Sequence, residues 1–126
     1  MQPISLFDLA SQKAQWLSVR QTAVAGNIAN VNTPGYGTVE IEPFESLLQK
    51  PKVTLQATQP GHVSGAPRHA SFGLNVDDGF KTSLPSQNTV VLETELMKSG
   101  EIRRDLEMNT AIVKSFHRML MMSVRT

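Results

Sequence analysis

Residue types that commonly carry out chemistry are sparse in this sequence of 126 residues. It has no cysteine, and no acidic residue stands close to His62 or His69. Isolated histidines of this kind, like His117, are more often surface residues than metal ligands. Glu93 and Glu95 stand near the start of a helical pattern, where acids favour the helix dipole. We therefore expect neither an enzyme nor a cofactor; the alternative, a metal-dependent enzyme using His62 and His69, would carry stoichiometric metal.

The charge balance argues against partners recruited by bulk electrostatics. Twelve Lys and Arg residues face eleven Asp and Glu residues, a net charge of +1, which gives no general attraction to nucleic acid or to an anionic membrane. No stretch approaches the roughly 18 apolar residues of a membrane span. Residues 1–10 lack the basic and apolar regions of a secretory leader. We expect no nucleic-acid partner, no membrane insertion and, if the protein is exported, a route other than general secretion.

The chain divides by composition into three zones that form one structural unit. Residues 1–33 carry a helical pattern from about Asp8 to Asn30, and residues 88–126 carry another from about Val90 to Val124. The zone between them, 34–87, is rich in Gly and Pro and has room only for short extended segments, at 38–41, 53–57 and 71–76. The predicted fold is mainly α, with long N- and C-terminal helices joined by an irregular middle.

Each predicted helix carries an apolar stripe, and the second has a mean spacing of 3.5 residues, as in a coiled-coil seam. We predict that the two stripes pair within the chain as an antiparallel coiled coil. The predicted interface residues are Leu6, Leu17, Val24, Ile28, Leu92, Leu96, Ile102, Leu106, Val113, Phe116 and Leu120.

Pairing the stripes leaves other helix faces uncovered. The first helix has an uncharged face of small residues that includes Ser18, Thr22 and Gly26. Judged by itself, such a face is as typical of an ordinary exposed surface as of a buried contact. The second helix is apolar over about half its circumference, and Met suits contacts with varied neighbours. We predict that neighbouring copies cover these faces. The additional apolar row of the second helix is Met108, Ile112, Met119 and Met122.

The most specific motif follows the first helix, at residues 27–36. Pro34 and Gly35 suit the centre of a type II turn from Thr33 to Tyr36, because Pro presets φ and Gly accepts a positive φ. Either Asn30 or Asn32 is suited to a left-handed cap at the helix end. Without further context, this motif predicts only a helix end followed by a turn.

Residues 25–30 and 32–36, preceded by Arg20 and Gln21, resemble the signature of the bacterial flagellar rod, hook and hook-associated proteins. The short chain and the run 88–90 leading into Glu93 are most similar to the B-type proteins of the proximal rod in the flagellar basal body. The C-type rod proteins share the N-terminal motif and are the nearest alternative. Gly37 departs from the basic or polar residue that commonly follows the Tyr.

The resemblance implies a structural subunit exported through the flagellar type III apparatus without a cleaved signal peptide. It would assemble with its own copies and other proximal rod proteins into the rod that crosses the periplasm, beside the adaptor at the membrane ring. A cytosolic coiled-coil adaptor that binds a partner helix is the alternative from another functional class.

The resemblance also assigns roles to particular residues. The junction after the first helix would be shaped by Asn27, Asn30, Thr33, Pro34, Gly35 and Tyr36. Phe44 and Leu48 resemble the short element by which early axial subunits are recognised at the export gate. These two residues are equally suited to anchoring an amphipathic turn onto the helices.

Overall fold

A computed structural model of the protein describes residues 3–49, 74–76 and 85–125. Within these residues the chain forms two long helices, one short helix and two short strands, so the predicted mainly α class is confirmed. The predicted extended segment at 53–57 lies outside the described residues, as do His62 and His69. The elements are α1 (Pro3–Ala29), β1 (Val39–Ile41), α2 (Phe44–Gln49), β2 (Leu74–Val76) and α3 (Leu92–Val124).

Helix α1 begins five residues earlier than its apolar pattern predicts, with Pro3 as its first residue. Proline suits this position because the first helical N–H has no partner within the helix. The helix ends through overlapping turns, in which the N–H of Asn30 donates to the carbonyls of both Gly26 and Asn27. The prediction of a left-handed Asn30 or Asn32 is wrong, because Gln87 is the one non-glycine residue with a positive φ in the described part of the chain.

Contacts between α1 and α3 extend over most of the length of both helices. Side chains late in α1 meet the start of α3, and side chains early in α1 meet its second half. The contacts, from one end to the other, are Asn27–Glu95 at 3.1 Å, Arg20–Glu101 at 3.6 Å, Asn109 to the Ala10 carbonyl at 3.1 Å, and Phe7–Phe116 at 5.5 Å between ring centroids.

The core lies between the two helices and the short elements that follow α1. Burying an aliphatic or aromatic side chain contributes about 1.5–3 kcal/mol, so this small cluster is the main apolar contribution to the fold of the described residues. Its buried members are Trp16, Leu17, Val24, Ile41, Phe44 and Ile102. Of the other predicted interface residues, Leu6, Ile28, Leu106, Val113, Phe116 and Leu120 are half-buried.

Two of the predicted interface residues, both at the start of α3, do not lie on the side of α3 that packs against α1. Leu92 is 38% exposed and Leu96 is 55% exposed, so neither belongs to the interface between the helices. The first turns of α3 instead direct Glu95 and Lys98 towards α1 and β1, where both find polar partners. The buried stripe of α3 therefore begins at Glu95 and reaches Ile102 seven residues later.

The middle of the chain contributes a small sheet and one short helix. Strands β1 and β2 pair antiparallel, with Val39 opposite Val76 and Ile41 opposite Leu74, so the predicted extended segments at 38–41 and 71–76 are confirmed where they are described. Among the described residues, none of the helices is apolar over enough of its length to span a membrane.

Candidate functional site

The turn after α1 has the features expected of its sequence. The N–H of Tyr36 donates to the carbonyl of Thr33 at 3.3 Å, which closes a four-residue turn. Gly35 has a φ of 74°, the positive value that the third position of a type II turn requires. A Cβ on Gly35 would meet nothing within 4 Å, so glycine is needed there for its backbone conformation and not for space.

Asn88, just before α3, binds the C-terminal end of α1. Its side-chain N–H₂ donates to the carbonyls of Asn30, Val31 and Thr33 at 2.8–2.9 Å. Its Oδ1 accepts a hydrogen bond from the N–H of Val90 at 2.8 Å. The last carbonyls of a helix have no partner within the helix. One buried side chain thus provides donors for the C-terminal end of α1 and ties it to the residues that lead into α3.

The residues before α3 run beside the turn and extend this attachment. The N–H of Gly35 donates to the carbonyl of Ser86 at 2.8 Å, and the N–H of Thr89 donates to the carbonyl of Tyr36 at 3.1 Å. The hydroxyl of Thr89 accepts a hydrogen bond from the N–H of Thr38 at 2.8 Å. We call the two segments joined in this way, 27–39 and 86–90 together with Glu95, the polar junction.

Asn27, from the predicted rod-family motif, is fully buried in this junction. Its amide forms two hydrogen bonds with the backbone of Val39: Nδ2 donates to the carbonyl at 2.8 Å, and Oδ1 accepts from the N–H at 3.0 Å. The same Nδ2 donates to the Glu95 carboxylate at 3.1 Å. A single side chain therefore joins α1 to both β1 and α3.

The remaining motif residues act locally. The side chain of Asn30 donates to the carbonyl of Gly26 at 2.8 Å, and the hydroxyl of Thr33 donates to Oδ1 of Asn30 at 3.1 Å. Pro34 is exposed, and Tyr36 is half-buried. These contacts connect the last turn of α1 to the start of the following turn.

An ion-pair network lies beside Asn27. Lys98 Nζ is 2.6 Å from Glu40 and 3.4 Å from Glu95, and Arg20 lies 3.5 Å from Glu40 and 3.6 Å from Glu101. Burial by itself lowers the pKa of Lys98, but the hydrogen bonds and negative charges of Glu40 and Glu95 outweigh it and hold the pKa above its ordinary value. The network therefore joins α3 to β1 through a lysine that stays charged, and joins α1 to both through Arg20.

The two candidate export residues occupy different environments. Phe44 is buried, with its ring centroid 5.8 Å from that of Trp16 and the Lys13 ammonium 4.7 Å from its own. Leu48 is about half exposed, and the neighbouring Leu47 packs against the core instead. The amphipathic anchor of α2 therefore consists of Phe44 and Leu47, so the alternative that assigned this anchoring to Leu48 is wrong.

The faces predicted to contact neighbouring subunits are uncovered by the described residues. Ser18 and Thr22 are exposed on α1, and Gly26 is half-buried. The row on α3 formed by Met108, Ile112, Met119 and Met122, which we call the methionine row, is exposed.

An apolar groove runs along the small-residue face of α1 and has a volume of about 280 Å³. We call it the α1 groove. It is lined by Val19, Thr22, Ala23 and Gly26 of α1 and by Tyr36, Val39 and Leu74 from the chain that follows.

Sequence reasoning missed several of the polar contacts. Glu95 was expected only to favour a helix dipole, yet it is 1% exposed and bound to Asn27 and Lys98. The only available signal was its position seven residues before Ile102, on the same helix face. In the described ranges 3–49, 74–76 and 85–125, no three or more His, Cys, Asp or Glu side chains are grouped so as to hold a metal ion.

Comparison with known proteins agrees with this architecture. The family model described as flagella basal body rod protein matches residues 14–36, the second half of α1 and the turn after it. A relative from Agrobacterium fabrum, flagellar basal body rod protein FlgB, is 42% identical over 130 residues, covering 99% of this chain and 96% of its own length. This protein therefore belongs to the flagellar basal body rod protein family and is a structural protein, not an enzyme.

Proposed function

We propose a mode of assembly for this structural subunit of the flagellar basal-body rod. The subunit takes the B-type position in the proximal rod, beside the adaptor at the membrane ring. There it assembles with its own copies and with other proximal rod proteins. The rod they form crosses the periplasm and is needed for flagellum assembly and motility. The observation that carries the proposal is the methionine row, which no described residue covers, on a helix whose other end is joined to α1.

The two long helices are the assembling part of this subunit. We propose that α1 and α3 pair as an antiparallel coiled coil, supported by the order of their contacts from Asn27–Glu95 to Phe7–Phe116. The zones 1–33, 34–87 and 88–126 act as one unit, because the polar junction connects all three. A shaft that transmits torque benefits from many interlocked helix contacts in place of one strong site.

We also propose how the chain is exported. The chain passes through the flagellar type III apparatus without a cleaved signal peptide, unfolded or partly folded. Phe44 and Leu48 are proposed to be recognised at the export gate during this stage. The burial of Phe44 in the folded chain is compatible with recognition only while the chain is unfolded.

The test is deletion of the gene in its own host, with a wild-type copy restored as the control. We expect purified basal bodies to keep the membrane ring and to lack rod, hook and filament, with motility lost. Intact flagella in the deletion strain would contradict the proposal and favour the cytosolic adaptor.

Restoring variant copies tests the role of the helices. Leu106→Pro should fail to restore motility, because proline inside a helix costs about 3 kcal/mol or more. Leu106→Met, which nearly conserves side-chain volume, is the matched control and should restore it. Normal motility with the proline variant would show that an intact α3 is unnecessary.

A further inference from the structure

We infer that two copies of this chain bind head to tail, with the methionine row of one copy seated in the α1 groove of the next. This inference rests on the proposed function and deepens it, because it identifies which surface of one subunit receives which surface of its neighbour.

The methionine row has the size of an interaction surface. Its four side chains are 48–61% exposed and follow one another at intervals of four, seven and three residues, so they lie along one side of α3. Together they expose on the order of 400 Å² of apolar surface, as large as the biggest patch on a typical monomer. A stable interface needs about 800 Å² from each partner. One row therefore gives a weak contact that gains strength by repetition along a rod.

The α1 groove has the complementary shape and chemistry. Its residues are small or apolar, and none of those that line it is charged. Gly26 widens it, since a Cβ there would lie 3.9 Å from the Tyr36 hydroxyl. A cavity of about 150 Å³ accepts a benzene-sized group, so a groove of about 280 Å³ has room for the ends of two Met side chains. Met is suited to such a site because its flexible thioether fills irregular space.

The placement of the two surfaces excludes pairing within one chain. Thr22 and Gly26 are each two residues from the buried Val24, which puts them nearly opposite it on α1, on the side that faces away from α3. The methionine row lies on α3 itself and cannot reach that side. Two different surfaces that bind each other between copies form a heterologous contact, which continues into a helical array when it does not close. A tubular rod requires that kind of contact.

Absence of cysteine makes the pairing directly testable by cross-linking. Thr22→Cys in the groove and Met119→Cys in the row are produced together in the deletion host. Basal bodies are then isolated and treated with a short bis-maleimide. We expect a mixed dimer that joins position 22 of one copy to position 119 of another. A second pair, Ala23→Cys with Met108→Cys, repeats the test where the first pair impairs assembly.

The control replaces the row residue by Lys114→Cys, on the charged face of the same helix. We expect the yield of mixed dimer with Thr22→Cys to fall at least tenfold. Dimers that join Met119→Cys to itself without the mixed dimer would overturn the inference in favour of a symmetric contact. If both variants are present in the basal bodies but form no dimers, the inference is also overturned, and the proposed function is unaffected. Absence of the wild-type chain from basal bodies would overturn the proposed function itself.

Discussion

The polar junction and the methionine row show two opposite ways of using the same long helix. At its start, α3 buries Glu95, which accepts a hydrogen bond from the Asn27 amide, and just before the helix the Asn88 amide donates to the end of α1. Further along, it exposes Met and Ile side chains that no described residue covers. The first region is satisfied within the chain, whereas the second has a surface left for another molecule.

The difference follows from the physics of the two kinds of contact. Hydrogen bonds from a buried amide are directional, and leaving such a group unpaired costs about 1–3 kcal/mol, so a polar junction accepts one arrangement only. Methionine contacts are non-directional and repack at little cost. We conclude that directional contacts lie where the chain holds its own shape, whereas the exposed methionine row is suited to contacts that can repack.

The largest effect is expected from Asn88→Asp in the polar junction. The substitution keeps the size and the acceptor for Val90 but replaces the donor N–H₂ with a carboxylate oxygen that faces three carbonyls. We expect the free energy of unfolding to fall by about 3 kcal/mol or more, measured by urea denaturation. Asn32→Asp, at an exposed position three residues after α1, is the matched control and should cost less than about 1 kcal/mol. Equal losses would remove the special role of Asn88.

A smaller effect is expected at the turn of the same junction. Gly35→Val forces a β-branched residue to a φ of 74°, which we expect to cost about 1–2 kcal/mol of unfolding free energy. Gly35→Asn, which tolerates this conformation, should cost less. Because a Cβ finds open space here, a large loss with both variants would show that something other than backbone conformation is responsible.

Two helical glycines allow an effect on assembly to be separated from an effect on stability. Gly26→Ala and Gly100→Ala both place alanine in a helix without a close contact, and each should raise the free energy of unfolding by about 1 kcal/mol. Gly26 lines the α1 groove and Gly100 does not. We therefore expect only Gly26→Ala to reduce incorporation into basal bodies, scored by immunoblot. Equal incorporation of the two variants would argue against occupation of the groove.

The smallest effect concerns the pH dependence of the junction. The folded state raises the pKa of Lys98, so its ion pairs stabilise the fold fully below the pKa of an unfolded lysine, about 10.4, and this contribution is lost as the pH rises through the higher folded value. Urea midpoints measured from pH 9 to 12 should fall less steeply for Lys98→Met than for the wild type. Lys114→Met, on an exposed face, should retain the wild-type slope. Identical slopes for all three proteins would contradict this role of Lys98.

Local features were predictable from sequence, and long-range polar contacts were not. The apolar pattern predicts a helix from about Val90, two residues before α3 begins, because the periodic segment is long and contains no proline. The turn at Pro34 and Gly35 was predictable because its conformation depends on adjacent residue types alone.

The contacts that Asn88 makes with the end of α1 and that Glu95 makes with Asn27 join residues more than 50 positions apart, which no local pattern specifies. Counting apolar residues favoured Leu96 for the interface over the neighbouring Glu95. The structure reverses that choice because Asn27 and Lys98 satisfy the buried carboxylate.

The two hydrogen bonds between Asn27 and Val39 have a consequence for strand association. Strand β1 has β2 along one side, and an unpaired strand edge is a template for unwanted pairing with other chains. On its other side, the Asn27 amide occupies both the N–H and the carbonyl of Val39, as a residue of a third strand would. Asn27 thus blocks edge-to-edge pairing of β1 with another chain at Val39, although it belongs to a helix and not to a strand.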